Sequence, residues 1–285
     1  TPTTASDRVN PAAPNSLQRR EATAAVLAAS PSGTANACTL RPADSSSLNR
    51  LATSAGRRSE WMIATRRWVL LAWAFLSLGN MLGMFWSYEE LGWGGYWAWD
   101  PVENASLVPW MTLTGLLHVM LVYKHRKRSL FSVYVLAVLT FFFILYSTFL
   151  TRSGILGNSS VHAFTDLGMS GQLLIYMLFF VVLAVVLLFI NRKELKENAE
   201  EEEEALSSRE FWMFIGMLVL VIGSIQIIFT TSIPVINKVF GSNLAPPADP
   251  IDHYNQWQVP IAVIISLLVA LGQFFRWKSS DWKSI

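Results

Sequence analysis

The 285 residues are 52% hydrophobic but only 15% charged, against roughly 25% charged in an ordinary soluble domain, and that deficit points to a membrane. The formal net charge of +2 says little by itself, so the placement of charge along the chain carries the information. A single cysteine, Cys38, excludes an internal disulfide, a Cys-x-x-Cys dithiol and a Cys-x-x-Cys-His haem-attachment sequence.

Residues 1–60 are rich in Ala, Ser, Thr, Pro and Asn, with scattered arginines and few acids or aromatics. Such a composition buries too little apolar surface to fold alone, and it reads as a disordered or targeting-like tail. The remainder, 61–285, reads as a transmembrane domain. Six apolar runs follow in order: Trp68–Trp86, Ala105–Tyr123, Leu130–Leu150, Gly171–Ile190, Phe211–Thr230 and Val259–Phe275. Each approaches the ~20 residues that cross a bilayer as a helix, and none alternates as a barrel strand does. The expected fold is an all-α polytopic membrane protein of about six transmembrane helices, with an external tryptophan-rich loop at 86–110.

Lysine and arginine placement predicts the topology. Arg66 and Arg67 precede the first helix, and Lys124, Arg126, Lys127 and Arg128 separate the second from the third. Arg192, Lys193, Lys196 and Arg209 separate the fourth from the fifth, and Arg276, Lys278 and Lys283 follow the sixth. The three opposite loops carry only Arg152 and Lys238. The positive-inside rule therefore puts both ends and the basic loops on the cytoplasmic or matrix side. The cytoplasmic 191–210 loop, with Glu200–Glu204 in a row, reads as a solvated connector. The loop at 232–258 carries four prolines, and its Ile233, Val235, Ile236, Val239 and Phe240 suit an interfacial turn.

The stretch from Trp93 to Trp110 organises the chain: Trp-Gly-Gly-Tyr-Trp-Ala-Trp-Asp-Pro-Val-Glu-Asn-Ala-Ser-Leu-Val-Pro-Trp. Gly94 and Gly95 weaken a helix at its start. Asp100 then supplies an N-cap, Pro101 suits the first helical position, and Glu103 completes a capping box. Membrane interfaces collect Trp and Tyr in general. Here, however, Trp93, Tyr96, Trp97, Trp99 and Trp110 crowd one segment beside glycines that allow close approach. A flat apolar ligand lying against rings suits that arrangement, with Asp100, Glu103 and Asn104 fixing the backbone.

Four histidines complete the inventory. His118 lies inside the second apolar run, about 9 Å along the helix from Lys124 and about 25 Å from Pro101. An ionisable residue there reads as functional, or as a neutral ring hydrogen-bonded to another helix. His162, in Val-His-Ala-Phe, shares the platform's side of the membrane and suits a haem-iron or other metal ligand, or an ordinary polar loop. Arg152 on that side suits a carboxylate partner such as a haem propionate. His253 faces the same side, and His125 belongs to a basic cluster.

The Trp-Gly-Gly-Tyr-Trp-Ala-Trp-Asp-Pro-Val-Glu-Asn-Ala-Ser segment resembles the "WWD" motif of haem-handling proteins of cytochrome c maturation. Thr151–Phe164, Thr-Arg-Ser-Gly…Val-His-Ala-Phe, resembles the segment that follows it in the CcmF and CcsA branch. The resemblance implies a membrane protein that presents b-type, non-covalently held haem on the outer face for attachment to apocytochrome c. It implies cofactor contacts from Trp93, Tyr96, Trp97, Trp99, Asp100, Glu103, Trp110 and Arg152, and iron ligation by His162 and His118. It further implies a haem lyase component working with other maturation proteins in a bacterial inner membrane, or in a mitochondrial inner or thylakoid membrane, in contact with lipid and not nucleic acid. The family's second external histidine and the partner of its intramembrane histidine are missing upstream of Trp61, which reads as a truncated chain or one completed by another polypeptide. A haem exporter or chaperone, a proton-coupled transporter using His118, and a b-type electron carrier are the other readings.

Overall fold

The computed structural model describes residues 45–90, 95–126, 129–157, 159–160, 168–192 and 206–277. The tail at 1–44, Trp93, His162 and the Glu200–Glu204 run lie outside them. By contacts the chain separates into Thr1–Leu51 and Ala52–Ile285. In the first unit only residues 45–51 are described, and they are helical; all other described residues belong to the second unit.

Among the described residues seven helices form in order: α1 (Ser45–Glu90), α2 (Pro101–Arg126), α3 (Leu130–Arg152), α4 (Ser170–Ile190), α5 (Arg209–Thr231), α6 (Ile233–Phe240) and α7 (Pro250–Gly272). Six are long and apolar enough to cross a membrane, α1 over Ala64–Glu90. No strand occurs among the described residues, as expected where every backbone group in lipid must be satisfied within its own segment. The protein is an all-α polytopic membrane protein. The predicted interfacial turn is the short helix α6, ended by Gly241 at φ 64°.

Helix α2 is the axis of the bundle. It packs chiefly against α5 and α3, while α4 lies on α3 and α7 on α5. Small residues let α2 and α5 approach closely, since a Cβ on Gly115 would stand 3.2 Å from Met217 Cγ, and one on Gly223 only 2.9 Å from Met111 Cε. Between α2 and α3 the buried Thr140 hydroxyl donates to Thr112 Oγ1 at 3.1 Å. Pro109 lies inside α2 and has no N–H to offer the carbonyl four residues earlier. That carbonyl, on Ala105, instead accepts from the Ser147 hydroxyl of α3. The proline is thus tolerated because a neighbouring helix satisfies the group it frees.

The outer helices carry exposed apolar faces. Along α4, Ile175, Phe179 and Val182 are largely exposed, as are Trp68, Phe75 and Leu82 of α1. Helix α1 is tied to α2 by Trp73, whose indole N–H donates to Thr114 Oγ1 at 2.9 Å.

The two ends of the bundle differ in chemistry. At one, Arg126 pairs with Glu210 at 2.7 Å. There Arg209 also donates to the carbonyls of Gly272 and Gln273, and His125 stacks on Trp277. The basic helix ends that the charge pattern assigns to one side therefore gather together. The tryptophan-rich loop closes the other end.

Candidate functional site at the tryptophan-rich loop

The loop is built outward from the cap of α2. The Val102 N–H donates to Asp100 Oδ1 at 3.0 Å, and Glu103 Oε2 accepts from the backbone of Ala98 at 3.0 Å and of Asp100 at 3.2 Å. Asp100 thus caps the Val102 amide, and the Glu103 bond to the Asp100 amide is the returning half of a capping box. Both carboxylates also reach outward. Glu103 Oε1 accepts from Ser87 on α1, and Asp100 Oδ1 from the Ser160 hydroxyl at 2.7 Å. The segment after α3 turns through Gly154 (φ 72°) and Leu156 to bring Ser160 there.

Trp99 carries a left-handed φ of 57°, a conformation that costs a bulky residue about 1–3 kcal/mol and needs surrounding structure to hold it. Its carbonyl accepts from Asn104 Nδ2 at 3.1 Å, its indole N–H donates to Asn255 Oδ1 at 2.9 Å, and its ring stacks on Tyr254 at 5.0 Å. Asn104, fully buried, also donates to Thr231 on α5 at 3.3 Å.

The crowded rings divide into separate groups. Tyr96 stacks on Tyr88 at 4.4 Å and meets Phe85 edge-on. Trp97 meets Trp99 edge-to-face at 6.0 Å. Trp110 is in neither group: it lies about 14 Å along α2 from Pro101 and stacks on Trp73 at 6.4 Å, its N–H donating to Ser77 at 2.8 Å.

Between α1 and the first turns of α2 lies a cavity of about 350 Å³, lined among others by Leu76, Gly79, Asn80, Gly83, Trp97 and Glu103. Side-chain-free Gly79 and Gly83 open one wall, where a Cβ at either would meet nothing within 4 Å. Trp97 closes the loop side. Its indole N–H is buried without a hydrogen-bond partner.

The Trp73–Trp110 pair lies deeper along the α1–α2 seam, and His118 lies beyond it. Ser106, Trp110, Thr114 and His118 fall at four-residue intervals along one face of α2, and His118 is about 18 Å along the axis from Ser106. Its Nδ1 lies 2.7 Å from the Thr114 carbonyl. A carbonyl only accepts, so Nδ1 donates in this bond, and Nε2 is the ring atom left to offer a lone pair to a ligand. The ring is therefore bonded to its own helix. His253, at the loop end, has Nε2 3.3 Å from Thr230 Oγ1 and meets Tyr254 edge-on at 5.2 Å. Arg152 ends α3, exposed. Sequence reasoning missed Tyr254 and Asn255, although both adjoin His253 in a loop assigned to the platform's side; it also missed the Gly79, Asn80, Gly83 surface at helical spacing on α1.

Fold and loop together define a polytopic helical membrane protein arranged around a tryptophan-rich loop that caps its central helix. The family profile described as "Cytochrome C assembly protein" matches residues 32–156. The cytochrome c-type biogenesis protein CycK of Bradyrhizobium diazoefficiens is 36% identical over 222 residues, covering 78% of this chain and 33% of that protein. CcmF of Pseudomonas fluorescens is 37% identical over 228 residues, covering 78% and 33%, and CcmF of Escherichia coli is 36% identical over 213 residues, covering 75% and 32%. Among solved structures, Cytochrome c Heme Lyase CcmF aligns with a TM-score of 0.57 and 32% identity, over 81% of this chain and 33% of that one. Over the matched residues the chain resembles proteins of the CcmF branch of cytochrome c assembly. It spans about a third of the length of the curated relatives it matches.

Proposed function

We propose that this protein binds haem at the loop end of α1 and α2 and presents it for covalent attachment to apocytochrome c, as part of a haem lyase in a bacterial inner membrane. The observation that carries the reading is the cavity beside Trp97, within the tryptophan-rich segment that resembles the WWD motif. At about 350 Å³ it lies at the small end of ligand pockets, so it receives an edge of the macrocycle. Leu76, Gly79 and Gly83 supply an apolar wall, and Trp97 supplies a ring. Asp100 and Glu103 hold the backbone under the loop, and Tyr96 and Trp99 extend or support it. Trp93 and His162 complete the proposed site as ring and iron ligand. Ser160, two residues before His162 in the chain, is bonded to Asp100, which anchors Ser160 beside the loop. Arg152 is the proposed partner for a propionate.

His118, with its Nε2 lone pair, is the proposed ligand of haem within the bilayer, separated from the loop cavity by Trp73 and Trp110. At the outer site the work is positioning. Each apocytochrome thiol adds across a haem vinyl group: sulfur bonds to one vinyl carbon and the proton goes to the other. No oxidant is consumed, and orientation supplies the rate. Other cytochrome c maturation proteins are the proposed partners.

Replacing Trp97, Trp99 or His162 by alanine is expected to lower haem absorbance of the purified protein. Haem content unchanged in all three variants would refute the assignment.

A further inference from the structure

We infer that the two loop tryptophans have different tasks: Trp97 faces the ligand, whereas Trp99 is an anchor through which Tyr254 and Asn255 of α7 act as positioning residues. The inference rests on the haem-binding reading above and adds a helix that no sequence motif links to the site.

Trp99 is held by protein on several sides. One face stacks on Tyr254, the indole N–H is held by Asn255, the carbonyl by Asn104, and an edge meets Trp97. The ring also packs against the core that contains Val108 and Met111. The holding groups are themselves joined, since Thr231 Oγ1 lies 3.2 Å from the Tyr254 hydroxyl and 3.3 Å from Asn104 Nδ2. One circuit thus ties α2, α5 and α7 around this residue, which explains how a tryptophan is kept at a φ of 57°. Trp97 is the converse. It lines the cavity, its N–H is buried and unpartnered, and its ring contact among the described residues is with Trp99. The edge-to-face contact therefore sets the plane that Trp97 shows to the cavity. Moving Trp99 rotates that plane, and Asn255 and Tyr254 determine where Trp99 sits.

The test is titration of haemin into the purified full chain, read from the Soret band, with the thermal midpoint measured in parallel. Trp97→Ala is expected to weaken binding by roughly tenfold or more. Asn255→Leu, which removes one hydrogen bond, is expected to weaken it by roughly three- to tenfold, and Asn255→Asp, which keeps an acceptor oxygen, to restore it. The Trp97→Ala/Asn255→Leu double variant should bind no worse than Trp97→Ala, because positioning an absent ring has no value. Trp99→Phe, which keeps a ring for Tyr254 but loses the N–H, should match Asn255→Leu and serves if that variant fails to fold. Multiplying losses in the double variant, or wild-type affinity in both Asn255→Leu and Trp99→Phe, would overturn the positioning role while leaving the haem site standing. Wild-type affinity in Trp97→Ala would overturn this inference, and only unchanged binding in Trp99→Ala and His162→Ala as well would overturn the haem reading with it.

Discussion

Glu103 offers the sharpest test of how the loop is held. Glu103→Ala removes the Oε2 acceptor of the Ala98 and Asp100 amides, at 3.0 and 3.2 Å, and the Oε1 acceptor of Ser87. Hydrogen bonds to a charged partner contribute about 1.5–3 kcal/mol each when buried. The site is half-buried, so water replaces part of that, and about 2–3 kcal/mol is a reasonable sum for opening the loop. At about 1.4 kcal/mol per tenfold, this corresponds to roughly 30- to 150-fold in the local opening equilibrium. Glu103→Gln, which keeps an uncharged acceptor, should lose less, about 1 kcal/mol. Amide hydrogen exchange at Ala98 and Asp100 reads the effect directly, since both amides donate to this carboxylate. The interior of α2 around Met111–Met120 should keep its protection. Exchange at those two amides within threefold of wild type in Glu103→Ala would refute the view that this carboxylate holds the loop, and loss of protection along all of α2 would show that it supports the helix instead.

Two further outcomes test the bundle. Arg126→Ala strands the Glu210 carboxylate, whose side chain is 4% exposed, and should cost about 3–5 kcal/mol; Arg126→Met with Glu210→Gln should recover most of the lost thermal midpoint, and no recovery would mean that the charge pair is not the source. Ser147→Ala leaves the Ala105 carbonyl, freed by Pro109, without its α3 donor and should cost about 1–3 kcal/mol, visible as a lower thermal midpoint in detergent, whereas Ser147→Thr, which keeps the hydroxyl, should lose less.

Much was legible because it is local. Apolar runs of bilayer length became, among the described residues, six helices long and apolar enough to cross a membrane, since a backbone in lipid has few alternatives. Asp100, Pro101 and Glu103 formed the cap they imply, because capping is a matter of spacing within one turn. The WWD resemblance, drawn from consecutive residues, led to the CcmF relatives. The division of labour among the aromatics was not legible in the same way. Trp110 adjoins the loop in sequence, yet helical rise carries it down the α1–α2 seam to Trp73. The positive φ of Trp99 depends on Asn255, 156 residues away, and no local pattern reports a partner at that separation.

By itself, then, the sequence determined what is set within a turn or by the length of a bilayer: the helices, their alternation, the cap and the family motif. The tertiary structure decided which rings share a surface, where a cavity opens against Gly79 and Gly83, and that α7 grips Trp99. Those outcomes depend on which faces of packed helices meet, and packing, unlike capping or hydrophobic length, is a property of residues brought together from distant parts of the chain.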